Sequence, residues 1–234
     1  VPQSLYAGII ASTARYDGAT APVLSNIHMH GAVVADDSFD GTFGGIIGQL
    51  TTGTTLSECS MADANINLPC AVAGGIVGEV ATSSANVNAV AFKGTLLGDV
   101  AGGVVGHVAL INLSNAHVNA DIYGNKATGG IVGEIEQYSN KRGTFAKCFV
   151  EGTVNSMNAK DAAVGGIAGY VTPGENKCVS NTVVALDEVT FPENVELQSA
   201  HRVIGHSRID DPGEINWEDP WWDEYPGDPY EHPE

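Results

Sequence analysis

Apolar and polar positions repeat along this chain in a fixed order. The stretch "AVAGGIVGEV" from Ala71 returns lightly altered as "TFGGIIGQL" from Thr42, "VAGGVVGHV" from Val100, "ATGGIVGEI" from Ala127 and "AVGGIAGYV" from Ala163. Weaker forms stand at the ends, "LYAGIIAS" from Leu5 and "AHRVIGHS" from Ala200. With the residue before the apolar pair as marker, the series runs Gly8, Gly45, Gly75, Gly103, Gly130, Gly166 and Arg202, with gaps of 37, 30, 28, 27, 36 and 36 residues. Such self-similarity marks an array in which each unit buries its apolar face against its neighbours.

Each unit has a second half, seen in "LSNIHMHGAVV" from Leu24, "LSECSMADANINL" from Leu56, "LSNAHVNADIYG" from Leu113 and "FAKCFVEGTVNSM" from Phe145. Its order is an Asn or Cys, an apolar residue, a small residue, then alternation toward Val or Ile. Alternation at period two predicts strands with one buried face, and segments such as "DDSFDG" predict turns. No stretch carries the 3.6 period of a crossover helix, which argues against a βαβ array. Units this short, made of two or three strands, predict an all-β fold: a right-handed parallel β-helix or closely related β-solenoid of about seven coils over residues 1–209, with an irregular tail over 210–234.

Stacked repeats place equivalent residues about 4.8 Å apart. The register predicts one column of Gly48, Gly78, Gly106, Gly133 and Gly169, where the absence of a side chain lets the opposite wall approach across a thin interior. Gly74 and Gly75 would supply a tight corner or a positive φ. Ile76, Gly78 and Val80 should share one face with their equivalents. The intervening column of Ile47, Val77, Val105, Val132, Ala168 and Ile204 is apolar too, so either this strand is covered or a bend turns those side chains inward.

Charge is distributed unevenly. The formal net charge is −18, all ten Lys and Arg lie at or before Arg208, and ten of the 28 acids follow from Asp210 onward. An acidic chain of this kind has no basis for binding nucleic acid phosphates or anionic lipid, and no apolar run is long enough for a transmembrane helix. The chain opens "VPQSLYAG" without a signal-peptide profile, so Val1 reads as the start of a processed segment. Of the four cysteines, Cys59, Cys148 and Cys178 fall at similar places in their repeats, as small packed hydrophobes would; Cys148 with Cys178 is the pair to examine for a disulfide.

The copies "GGIIG" at Gly44, "GGIVG" at Gly74, "GGVVG" at Gly102, "GGIVG" at Gly129 and "GGIAG" at Gly165 resemble the GLUG repeats of bacterial adhesin-like surface proteins and some secreted peptidases. The resemblance covers about residues 5–209 and departs from the family in placing Ile or Val where Leu is common. It implies an architectural repeat module and names no ligand; the expected role is a non-enzymatic module of an extracellular or cell-surface bacterial protein, presenting its lateral face to a host or neighbouring glycan or protein. The resemblance brings no catalytic residues and no cofactor.

Several residue sets carry candidate chemistry. The position after the last motif glycine reads Gln49, Glu79, His107, Glu134, Tyr170 and His206, which should project outward in one column. Glu79 with His107 has acid–base potential, although a His between Glu79 and Glu134 also separates like charges in a parallel stack. Asp36, Asp37 and Asp40 in "DDSFDG" are a weak calcium candidate, since they lack the length and terminal Glu of an EF-hand loop and Asp is common in turns. His28 and His30 share a strand face with no acidic or cysteine partner identifiable nearby. No nucleophile elbow, phosphate loop or C-x-x-C occurs. A β-helix glycoside hydrolase is the alternative function, and scarce basic residues weaken a lyase. The tail holds all three tryptophans, Trp217, Trp221 and Trp222, together with five of the ten prolines. These rings either cover the open end of the last coil or stack on a sugar or protein partner.

Overall fold

The computed structural model describes residues 5–15, 18, 20–51, 53–81, 85–109, 111–136, 144–157, 163–171, 179–180 and 204–207. Among them every regular element is a strand, and no helix is long and apolar enough to cross a membrane. One parallel sheet takes β1 (Tyr6–Gly8), β6 (Thr42–Gly44), β8 (Thr55–Gly74), β10 (Ala85–Gly102), β12 (Ile111–Gly129), β14 (Thr144–Ser156) and β17 (Val179–Ser180) in that order. Onto β8 also pair β3 (Val23–Ser25), β4 (His28–His30) and β5 (Val33–Ala35), and β15 (Ala163–Gly165) pairs with β12. The second sheet is seven-stranded and holds β2 (Ala11–Ala14), β7 (Ile47–Leu50), β9 (Val77–Val80), β11 (Val105–Val108), β13 (Val132–Ile135), β16 (Ala168–Val171) and β18 (Ile204–Ser207), stacked in chain order. Each repeat therefore adds one layer to both sheets, an arrangement consistent with a β-solenoid.

The glycine motif is shared between the sheets. β8 ends at Gly74 and β9 begins at Val77, so the chain turns at Gly75 and Ile76. The backbone stays paired between layers through this corner: Gly75 N–H donates to the Gly102 carbonyl at 3.1 Å and Ile76 N–H to the Val104 carbonyl at 3.1 Å. None of the motif glycines takes a positive φ, so the corner is made without the left-handed conformation. Their requirement is steric. A Cβ on Gly75 would collide with the Gly103 carbonyl and the Phe92 ring, and one on Gly78 would lie 2.5 Å from the Gly48 carbonyl oxygen and 2.8 Å from the Phe43 carbonyl carbon.

Gly78 thus faces the end of the long-strand sheet at backbone contact. By alternation Val77 lies on the other face, and Ile47, Val77, Val105 and Val132 are fully buried, as are Ile46, Ile76, Val104 and Ile131. Burial of the Val77 column beside the corner at Gly75 and Ile76 accounts for the nearly unbroken apolar runs of the short strands. The rest of the core comes from alternate residues of the long strands, including the cross-layer set Met61, Phe92, Val118 and Val150.

One register differs from the sequence expectation. Gly8 pairs with Gly44, and Ala11 with Ile47. The first repeat is thus shifted by one from the marker series, with Ile9 level with Gly45 and Ser12 level with Gly48. In the first layer the position that holds glycine in the next five carries an isoleucine, 41% exposed.

Candidate functional site

The long strands bend where the sequence has its Asn-or-Cys half. Asn26, Glu58, Ala89, Asn115 and Lys147 have φ of 59°, 53°, 54°, 52° and 53°, and the flanking pairs put all five at one level of the stack. Only Asn adopts this left-handed conformation readily; at Glu58, Ala89 and Lys147 the stacked neighbours impose it. Side chains cross-brace the bend, with Asn115 Nδ2 donating to Asn88 Oδ1 at 2.7 Å and Ser114 Oγ to the same oxygen at 2.8 Å.

Two residues beyond the bend the chain points outward again, in a column of His28, Ser60, Ala91, His117 and Phe149. Phe149 is 45% exposed. Beside it Glu151 accepts from Asn119 Nδ2 at 2.8 Å and lies 3.4 Å from His117 Nε2. Phe149, Glu151 and His117, with Asn115, Ala116 and Lys147, line an open depression of about 380 Å³. An exposed ring beside a braced carboxylate, an imidazole and amides can stack on an apolar ring face and hydrogen-bond the hydroxyls around it. The sequence reading missed this place. Its signal was "KCFVEG", where Cys148 and Val150 point inward and leave Phe149 on the polar side.

The predicted column lies level as expected: Glu79 pairs with His107, and His107 with Glu134. All three are half-buried. The carboxylate that reaches His107 Nε2 is Glu136, at 3.5 Å, from just past the end of β13. Glu79 and Glu134 stand two layers apart, roughly 10 Å. Near Glu134, Lys126 bonds Asp99 at 2.6 Å, and the Asp99 carboxylate, with a smaller contribution from Glu134, holds the ammonium pKa above its ordinary value. Gly48, Gly78, Gly106, Gly133 and Gly169 occupy one column of the short sheet.

Elsewhere the candidate sets separate. Asp36 Oδ1 accepts from Ser38 N–H at 2.9 Å and Ser38 Oγ at 2.7 Å, and these bonds hold its carboxyl below the ordinary range. Among the described residues no three His, Cys, Asp or Glu side chains gather to hold a metal ion, so Asp37 and Asp40 do not complete a site with it. His30 does have an acidic partner, contrary to the sequence expectation: Asp63, 33 residues on, meets its Nε2 at 2.8 Å from the next layer. His28 contacts Ser60 Oγ at 2.8 Å and Asn26 Oδ1 at 3.0 Å. Cys59 and Cys148 are free buried thiols, and burial pushes the Cys148 thiol up to about 11. Cys178, Trp217, Trp221 and Trp222 lie outside the described residues. No family model matches the chain, and no curated protein or solved structure is significantly similar to it.

Proposed function

We propose that this chain is a right-handed parallel β-helix, or close solenoid relative, of about seven coils over residues 1–209 followed by a separate acidic tail. In this reading it serves as a non-enzymatic, adhesin-like module of a bacterial surface or secreted protein. Its repeats follow the GLUG pattern, and its partner is a glycan or a surface protein held on the lateral face of the long strands. The depression around Phe149 carries the reading. It combines an exposed ring with Glu151, Asn119 and His117 already held in place. Stacking on one ring is worth about a kcal/mol, so a single site is weak and an array of surface copies supplies avidity. The parallel stack keeps that spacing rigid.

Screening the chain, displayed on beads, against a glycan array and against extracellular matrix proteins tests this reading. Binding lost in Phe149→Ala and in Glu151→Gln, with unchanged unfolding curves, supports it. Binding that survives both substitutions moves the site elsewhere, first to the tail tryptophans, and turnover of a bound polysaccharide would establish the hydrolase alternative instead.

A further inference from the structure

One hydrogen-bonded chain on the outer face has no part in the depression around Phe149. Ser60, half-buried in β8, contacts His28 Nδ1 through its Oγ at 2.8 Å, and His28 Nε2 contacts Asn26 Oδ1 at 3.0 Å. The Asn26 oxygen can only accept, so the imidazole carries its proton on Nε2. Nδ1 is then the acceptor of the Ser60 O–H. A hydroxyl, an imidazole and a third group that orients the imidazole form the arrangement that activates a serine nucleophile. The backbone fixes the set in place: Asn26 takes φ 59° and Glu58 φ 53°, two residues before His28 and Ser60 respectively, and β4 pairs with β8 at these two residues. The surroundings suit a short acyl group. Next in the same column stand Ala91 and then His117, so Ser60 and Ala91 leave an open step two layers wide, about 10 Å, between two imidazoles. Lys93 shares the face of Ala91 by alternation and lies one layer and two residues from Ser60, roughly 8 Å between Cα atoms. It makes no ion pair among the described residues. Its ammonium is the cation at hand for a carbonyl oxygen that gains charge beside Ser60.

We propose that Ser60 is a nucleophile toward small carboxylic esters, with His28 as its general base and Asn26 as the positioning residue. Oγ attacks the ester carbonyl while its proton passes to His28 Nδ1. The bond from the carbonyl carbon to the alcohol oxygen breaks, and the leaving alkoxide takes that proton back from the imidazolium, which leaves acyl-Ser60 and a free alcohol. A water molecule that gives its proton to the same nitrogen then releases the carboxylic acid and restores the Ser60 hydroxyl. The site stands three layers from Phe149, and it does not rest on the glycan-binding reading.

Treating the full chain with 4-nitrophenyl acetate and locating the acetyl groups by mass spectrometry over time tests the proposal. General-base assistance is worth roughly 10²–10⁴-fold in a closed site, so on this open face Ser60 should be acetylated at least tenfold faster than exposed Ser25, which serves as the unassisted reference. His28→Ala should bring Ser60 down to the rate of Ser25, with His28→Gln as the second variant if the first fails to fold. Asn26→Gly keeps the left-handed backbone at no steric cost and should slow Ser60 severalfold, whereas Asn26→Asp, which retains an acceptor for Nε2–H, should restore it; a merely structural role would not show this rescue. Acetylation of Ser60 no faster than that of Ser25, or a rate that survives both folded His28 variants, would overturn the proposal.

Discussion

Gly133→Val places a branched side chain where the two sheets meet at backbone contact. An ideal Cβ there lies 2.6 Å from the Gly106 carbonyl oxygen, 2.7 Å from Val100 Cγ1 and 3.0 Å from the Ala101 carbonyl carbon. Two of these three obstacles are backbone in neighbouring layers, so they cannot swing aside as a side-chain tip would. Gly133 has no left-handed φ, and the penalty is therefore purely steric. Overpacking of this kind costs about 1–3 kcal/mol, offset for alanine by up to ~1 kcal/mol because the unfolded chain loses freedom. We expect about 1–2 kcal/mol for Gly133→Ala and about 3 kcal/mol or more for Gly133→Val. Gly31→Ala is the control: its φ is +70° and nothing lies within 4 Å of its Cβ, leaving only the left-handed penalty of about 1–2 kcal/mol. Urea unfolding followed by far-UV circular dichroism measures all three. A loss below about 1 kcal/mol for Gly133→Val, or one no larger than that of Gly31→Ala, refutes the thin-interior reasoning.

Thr128 is fully buried and its Oγ1 has no hydrogen-bond partner, so near-isosteric Thr128→Val should stabilise by about 1 kcal/mol, read as a higher urea midpoint. Ala89→Asn should also stabilise, by roughly 0.5–1 kcal/mol, because Ala89 sits at φ 54° where Asn is the more tolerant residue; thermal melting checks it. Alkylation at pH 8 should modify exposed Cys70 and spare Cys148, whose buried thiol stays protonated to about 11. The folded value lies above the unfolded one, so this thiol's contribution to stability is intact below pH 9.0 and declines toward pH 11. The loss is about 3 kcal/mol, and Cys148→Ala should remove that part of the alkaline slope.

Strand type, parallel stacking and the glycine column were legible because a parallel array writes the same contact at every layer. Ile76, Gly78 and Glu79 could be placed by counting, since an inward residue in one layer predicts its equivalents. Counting failed where the first layer departs from the pattern: Ile9 takes the Gly45 level, and the marker Gly8 belongs with Gly44. It also could not find His30 with Asp63, because cross-layer partners sit about one repeat apart and the register at that bend was not yet known. The left-handed column was hidden for a different reason. Asn26 and Asn115 suggest it, but Glu58, Ala89 and Lys147 are placed there by their neighbours rather than by preference. The Phe149 depression needed face assignment on either side of that bend before one exposed ring could be told from a core aromatic.

The stack itself is tested most directly by distances along it. Spin labels placed pairwise from Thr13 to Glu79, His107, Glu134 and Tyr170, in a Cys70→Ser/Cys178→Ser background, sample one column of the short sheet at two to five layers of separation. Parallel in-register layers predict separations that rise in order by about 4.8 Å per step, reaching roughly 24 Å at Tyr170. Distances that fail to rise in this order, or steps nearer the roughly 10 Å of packed sheets, would contradict it.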